Sequence, residues 1–258
     1  MDSEFNDKWA IILGGSSGLG LASAKKLASH GMNICIVHRD RKTAMSDFAA
    51  EIDSMKNLGV KVMTFNKDVL NSETITEVIG ALSKASVKLL LHSIAKGSVK
   101  PLISGNSDEL TKEDFMITIS AMALSWIDWT KGLINTNKFS KHDRNIACTS
   151  EGNTKASKYY GAVSAAKATL DSLMRQMAVE FAPLGITTNC IQAGVTRTSS
   201  FDRIPGSDQI AKYTTQRNPF QRLTTPNDVA NVVYLLSKNE AQWINGTILK
   251  ADGGESLR

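Results

Sequence analysis

The sequence predicts an α/β protein with a Rossmann-type doubly wound parallel sheet of about seven strands, flanked by helices on both faces. Three observations carry that reading. Short runs rich in Val, Ile and Leu alternate with helix-period segments from near one end to the other, the pattern of βαβ units with a sheet buried on both sides. A glycine-rich turn joins the first apolar run to the first helical segment. No repeat, low-complexity tract or linker interrupts the 258 residues, so one domain is expected over 1–258. Right-handed crossovers then put ligands at the carboxyl ends of the strands.

In chain order, "KWAIILG" (Lys8 to Gly14) reads as the first strand. An amphipathic helix runs on to His30, with Gly31 as its cap. "MNICIVH" is the second strand, followed by a helix through about Lys56, and "VKVMTFN" is the third. A helix from about Ser72 to Lys84 leads into "VKLLLHS", the fourth strand. Thr111 to about Asn135 reads as one long helix with Leu, Met, Ile and Trp along one side. "RNIACTS" is the fifth strand, and Tyr160 to about Phe181 a second long helix. "ITTNCIQAG", a helix from Asn227 to Ser237, and "GTILKADGG" complete the pattern. The segment from Val195 to Pro226 reads as irregular, and a loop that long in a compact domain is expected to bind substrate.

Composition narrows the function classes. The formal charge of +5 comes from scattered Lys and Arg, without the basic run of a nucleic-acid binder. It suits an anionic cofactor or an acidic carrier protein. No apolar run approaches the ~20 residues of a membrane span. The polar, acidic "MDSEFNDKW" does not read as a signal peptide, so a cytoplasmic location is expected. Cys35, Cys148 and Cys190 each sit in an apolar strand-like run. Their number and spacing point to burial, with neither a metal site nor a disulfide framework.

"LGGSSGLGLASAKKLA" places Gly14, Gly18 and Gly20 between strand and helix, with Ser16, Ser17 and Leu19 between them. Such glycines let the backbone turn tightly and approach a pyrophosphate, while the helix N-terminus offers free amides. A dinucleotide is the expected ligand. At the end of the second strand, His38 falls roughly where an NAD-binding acid would stand, and Arg39 and Arg41 follow. Two guanidiniums there suit a 2′-phosphate, so NADPH is favoured over NADH, although Asp40 also has the reach for a ribose. "KDV" offers Asp68 and Val69 to an adenine. His92, Ser93 and Ile94 end the fourth strand and are candidates to line the cofactor site, although His92 reads first as a structural residue closing a buried strand with a hydrogen bond.

The chain resembles the short-chain dehydrogenase/reductase superfamily over nearly its whole length. Gly14, Gly18 and Gly20 match its cofactor loop, Asp68 its adenine contact, "NGTILKADGG" its closing strand and Lys167 its active-site lysine. The departures narrow the resemblance. The fourth strand ends "HSIAKG" in place of Asn-Asn-Ala-Gly, "ITISAMALSW" has no asparagine, and Val163 stands where a tyrosine is usual. "HSI", "ISA", "AGVTRT" and the six residues between Tyr160 and Lys167 are similar to the enoyl-acyl-carrier-protein reductase branch. Ser150 in place of that branch's upstream tyrosine resembles its NADPH-using third bacterial type.

On a helix, positions four and seven before a lysine lie within roughly 60° of each other but ~4.5 Å apart along the axis. That displacement suits an acid aimed at a thioester oxygen two carbons from the atom that takes the hydride. The resemblance implies Tyr160 as acid, with Tyr159 as the alternative, Lys167 on the nicotinamide ribose, and Ser150 as helper or loop cap. It implies Thr196 and Thr198 near nicotinamide and pyrophosphate. The implied substrate is an acyl thioester, on acyl carrier protein or another carrier, and the implied assembly a homotetramer or homodimer. A reductase of another carbonyl or alkene, or an inactive nucleotide-binding relative, are the competing readings.

Overall fold

In the central strands, neighbouring residues point to opposite faces and yet are all enclosed. Ala10, Ile11, Ile12 and Leu13 of strand β1 (Trp9–Leu13) are fully buried, because helices cover the sheet on both sides. The computed structural model describes residues 3–41, 43, 45–105 and 108–258. The other strands are β2 (Asn33–His38), β3 (Val62–Asn66), β4 (Val87–His92), β5 (Phe139–Ser150), β6 (Ile186–Ala193) and β7 (Ile248–Ala251). Their order is β3-β2-β1-β4-β5-β6-β7, and every pairing is parallel. Strand order reverses between β1 and β4, which opens a crevice above their carboxyl ends.

One face carries α1 (Gly18–Ser29), α2 (Met45–Lys56) and α8 (Pro226–Ser237), whose Leu27, Phe48 and Val233 pack with Ile12. The other carries α3 (Ser72–Gly80), α5 (Ser125–Asn135) and α6 (Gly161–Glu180), whose Val78, Trp126, Trp129 and Leu170 pack with Ile11 and Leu13. Trp126 Nε1 donates to Asn145 Oδ1 at 2.6 Å and Trp129 Nε1 to the Val69 carbonyl at 2.9 Å, so both indoles are buried with their polar atoms satisfied.

Three elements differ from the sequence-based expectation. The long helix after Thr111 is interrupted: α4 (Lys112–Ile119) and α5 flank a π-helical turn, Ser120–Leu124. Such turns arise from hydrogen-bond register, which leaves no trace in composition. The segment expected to be irregular after Val195 contains α7 (Ser207–Arg217). Thr214 is the residue that α7 buries, so it lacks the apolar stripe by which a helix is recognised. Strand β5 starts at Phe139, where it pairs with Val87 before a register shift.

At the opposite end of the sheet from the crevice, Arg144 is 1 % exposed. Its Nε donates to the Leu236 carbonyl at 2.7 Å, and its Nη atoms to the carbonyls of Lys238 and His142, each at 2.8 Å. The bonds to Leu236 and Lys238 cap the C-terminus of α8, where carbonyls lack intrahelical partners. Cys35, Cys148 and Cys190 are buried free thiols, and burial pushes Cys35 up to about 12.

Candidate active site

The first turn shows why glycine stands where it does. Gly14 leaves β1 at φ +82°, in the left-handed region, and a side chain there would strike the Ser93 carbonyl. A Cβ on Gly20 would run into the Gly14 carbonyl, so α1 begins hard against the end of β1. Ser17 is the N-cap of α1 in an extended conformation and makes no side-chain cap bond. The first amides of α1 are therefore left to an anion. Gly18, at φ +54°, faces Thr198 from beyond β6, and Ser16 and Leu19 complete the cradle. These residues fit a pyrophosphate.

The β2 end is more tightly paired than its basic sequence indicates. His38 is turned inward at 3 % exposed, packs edge-on against Phe48, and shares a 2.7 Å hydrogen bond with the Asp40 carboxylate. Asp40 also donates its backbone N–H to Asn66 Oδ1 at 3.0 Å. The Arg39 guanidinium pairs with Asp68 at 2.6 Å, and Lys96 lies 3.9 Å from the same carboxylate. Arg41 is exposed, and Val69 is buried.

At the end of β4, His92 is fully enclosed, so its side chain forms no part of an open wall. Its Nε2 is 2.8 Å from Ser125 Oγ, which donates to the Ala121 carbonyl at 2.9 Å. Ser125, overlooked in the sequence, thus ties the strand end to the π turn. Burial pushes the imidazole down to about 3, and the Lys167 charge adds to this. The unfolded chain binds a proton here below about pH 6.5 that the folded chain takes up only near 3. Stability is therefore expected to fall as pH drops through that window, by about 1.4 kcal/mol per unit from this group. Denaturant midpoints at pH 5 and 7 should lie closer together in His92→Gln than in wild type; equal gaps would show that His92 does not contribute. Ser93 donates its N–H to the Leu13 carbonyl at 2.9 Å, joining β4 to β1 under the crevice, and Ile94 packs beside it.

Tyr160 is the N-cap of α6, at φ −102° and ψ 6°, and its carbonyl accepts from Ser164 at 2.7 Å. It stands at the helix mouth, one residue before the helix itself. Tyr159, before it, adopts φ +65°, a strained conformation for a bulky residue that redirects the chain into α6. The Tyr160 ring lies over Gly152, where any Cβ would meet it. Burial raises the phenol pKa, and the Ser150 hydroxyl beside it pulls the other way. Ser150 Oγ is nonetheless buried without a hydrogen bond of ordinary geometry among the described residues. Such an orphaned hydroxyl in a cleft is placed for a ligand.

Val163 is buried with Ala121, Met122 and Ala166 in an apolar cluster against which Tyr160 packs. A Cβ on Gly97 would clash with Val163, Thr118 and Met122. Lys167 lies one helical turn on, 6 % exposed, its Nζ donating to the Cys148 carbonyl at 2.6 Å. Thr196 is buried and donates to the Gly194 carbonyl at 2.9 Å, while Thr198 Oγ1 accepts from Phe201 N at 3.2 Å.

A cleft of about 820 Å³ brings Leu19, Ser150, Tyr160, Val163, Thr196 and Thr198 together. Its far wall includes Arg217 of α7, unmarked in the sequence. Arg217 reaches Glu151 at 2.7 Å and Glu255 at 3.1 Å, stapling α7 to the residue after Ser150.

A glycine cradle below an uncapped helix, a neighbouring cleft lined by a phenol, and a lysine buried on α6 outside that lining together define a nicotinamide-dependent oxidoreductase. A family model described as Enoyl-(Acyl carrier protein) reductase matches residues 14–256, and the chain belongs to that family of short-chain dehydrogenases/reductases. A Bacillus subtilis protein described as a probable 2,4-dienoyl-CoA reductase is 30% identical, with 97% of each chain covered. An NADH-dependent enoyl-[acyl-carrier-protein] reductase of Buchnera aphidicola is 27% identical, covering 97% of this chain and 95% of its own. Among solved structures, an Aquifex aeolicus enoyl-[acyl-carrier-protein] reductase (NADH) superposes with TM-score 0.83 at 22% identity, over 98% of both chains. A Burkholderia cenocepacia short-chain dehydrogenase in complex with NADP gives 0.82 at 23%, over 98% of this chain and 99% of that one. Among the described residues no helix is long and apolar enough to cross a membrane.

Proposed function

We propose that the protein uses NADPH to reduce the carbon–carbon double bond of an enoyl thioester, in fatty-acid or related acyl-chain synthesis in the cytoplasm. The observation that carries this reading is the contrast between Tyr160 and Val163. The phenol stands in the cleft beside Ser150, whereas the position of a ketoreductase tyrosine is an apolar side chain in a packed cluster.

Bound NADPH supplies the hydride, which the β-carbon of the thioester accepts. Negative charge then gathers on the thioester oxygen two carbons away, and Tyr160 donates to it. Because burial raises its pKa, the phenol keeps its proton at neutral pH and is ready as a donor. Lys167, two turns into the helix that Tyr160 caps, is the proposed positive charge that favours phenol ionisation as the proton leaves. It is also the cation proposed to hold the nicotinamide ribose hydroxyls. Ser150, otherwise unpartnered, is a second donor to phenol or substrate.

NADPH is preferred because Asp40, the carboxylate nearest the usual NAD position, is already engaged by the His38 imidazole, while Asn66 holds its backbone N–H. Arg39→Ala with Arg41→Ala is expected to weaken NADPH binding at least tenfold more than NADH binding, a loss of one charge-assisted bond or more. Fluorescence titration measures both, and equal weakening would refute the 2′-phosphate role.

The 2,4-dienoyl-CoA reductase similarity supports a second reading, a coenzyme A-bound dienoyl substrate. Crotonyl-, hexadienoyl- and acetoacetyl-thioesters separate the possibilities. NADPH oxidation with crotonyl thioester supports the first reading, and with hexadienoyl thioester alone the second. Activity on acetoacetyl thioester alone would overturn both. A dimer or tetramer through the α4–α5 face is proposed from Met116, Ile117 and Leu124, which stay exposed there.

A further inference from the structure

Lys167 is buried, and burial alone favours the uncharged amine, yet the proposed chemistry needs an ammonium. We propose that Asp171, one helical turn further along α6, is the positioning residue that keeps Lys167 charged and seats the turn behind Ser150. The inference rests on the reading of Lys167 as the cofactor-holding cation and assigns a role to a residue outside it.

Asp171 is 5 % exposed, and residues four apart on a helix face each other. Its Oδ2 accepts from the Asn153 side chain, in the turn Glu151–Asn153 that directly follows Ser150. Its Oδ1 makes no hydrogen bond of ordinary geometry among the described residues, with the Cys190 thiol of β6 beside the carboxylate as its weak neighbour. A carboxylate with one oxygen unsatisfied is costly to bury unless a charge answers it.

The groups facing Lys167 come from every element packed around it. Cys148 of β5, Cys190 of β6, His92 of β4 and Asp171 make up the set, with Tyr160 at the α6 mouth beyond them. Burial pushes the Lys167 ammonium down, opposed by Cys148, Cys190 and Asp171. Burial also raises both thiols and the phenol, and lowers His92 to about 3. All four are therefore neutral near pH 7 and leave Asp171 as the counter-charge. The same carboxylate, through Asn153, ties the lysine's helix to the turn that follows the helper hydroxyl.

The test uses the full chain with ¹³Cε-labelled lysine, the Lys167 signal being identified by its loss in Lys167→Met. In Asp171→Asn the Lys167 transition is expected at least about one pH unit lower than in wild type. An unmoved transition overturns the proposal. If Asp171→Asn fails to fold, the double variant Lys167→Met/Asp171→Asn must fold or melt higher, because the stranded ammonium is gone. A double variant no better than the single one overturns the proposal equally. No substrate enters either measurement, so a wild-type enzyme inert toward enoyl thioesters would sink the proposed function separately.

Discussion

Tyr160→Phe is expected to lower turnover with an enoyl thioester at least tenfold, and by up to the ~10²–10⁴ that proton donation contributes, while nucleotide affinity stays intact. The substitution is clean because the ring's packing over Gly152 and against the Val163 cluster survives. What disappears is the hydroxyl beside Ser150. Val163 cannot take over, having no polar atom. Nor is Tyr159 equivalent: at φ +65° and 37% exposed, it serves the chain's approach to α6. Stopped-flow nicotinamide absorbance with a saturating thioester gives the rate, and equilibrium fluorescence gives the affinity. Undiminished turnover would transfer the donor role to Tyr159 or Ser150.

The largest loss of stability is expected at Arg144, far from the chemistry. Arg144→Met keeps a long side chain but removes the donor to the buried Leu236 carbonyl and to the partly buried carbonyls of Lys238 and His142. A buried acceptor left unsatisfied costs about 1–3 kcal/mol, so a loss of about 2–3 kcal/mol is expected. Asp143 beside it is also buried and loses the neighbouring charge. Lys88 donates to the same His142 carbonyl at 3.0 Å and recovers part of the loss. Urea unfolding of both proteins measures the difference. A change below about 1 kcal/mol would mean that α8 caps itself by other means.

The central strands were legible because parallel strands covered on both faces read as apolar runs, whereas the start of β5, polar and partly exposed after Phe139, was not. Helix α7 was not, since Ser207–Arg217 buries little and its place is set by the Arg217 staple to Glu151 and Glu255. Those partners lie 66 and 38 residues away in the chain, a separation that no local pattern encodes. The glycine cradle was readable because sterics demand glycine at Gly14 and Gly20. His38 and Arg39 illustrate the opposite case. Their residue types announced an anion site, but only the fold shows His38 buried against Phe48 and Arg39 already paired with Asp68. Asp171 did leave a signal, an acid four residues after Lys167 on the apolar face of α6. Ser125 left none, because its partner His92 comes from another element.

One cavity joins the side of Leu19, Thr196 and Thr198 to the side of Tyr160, Tyr213 and Arg217. Two reactants that share a single chamber do not arrive independently. A nucleotide that seats first becomes a wall for the acyl chain, whereas an acyl chain that seats first bars the way to the cradle. For the proposed reaction, this shape leads us to expect an order of events: nucleotide in, enoyl thioester in, saturated thioester out, oxidised nucleotide last. Product-inhibition kinetics should accordingly show NADP⁺ competing with NADPH alone, a timetable set by walls rather than by affinities.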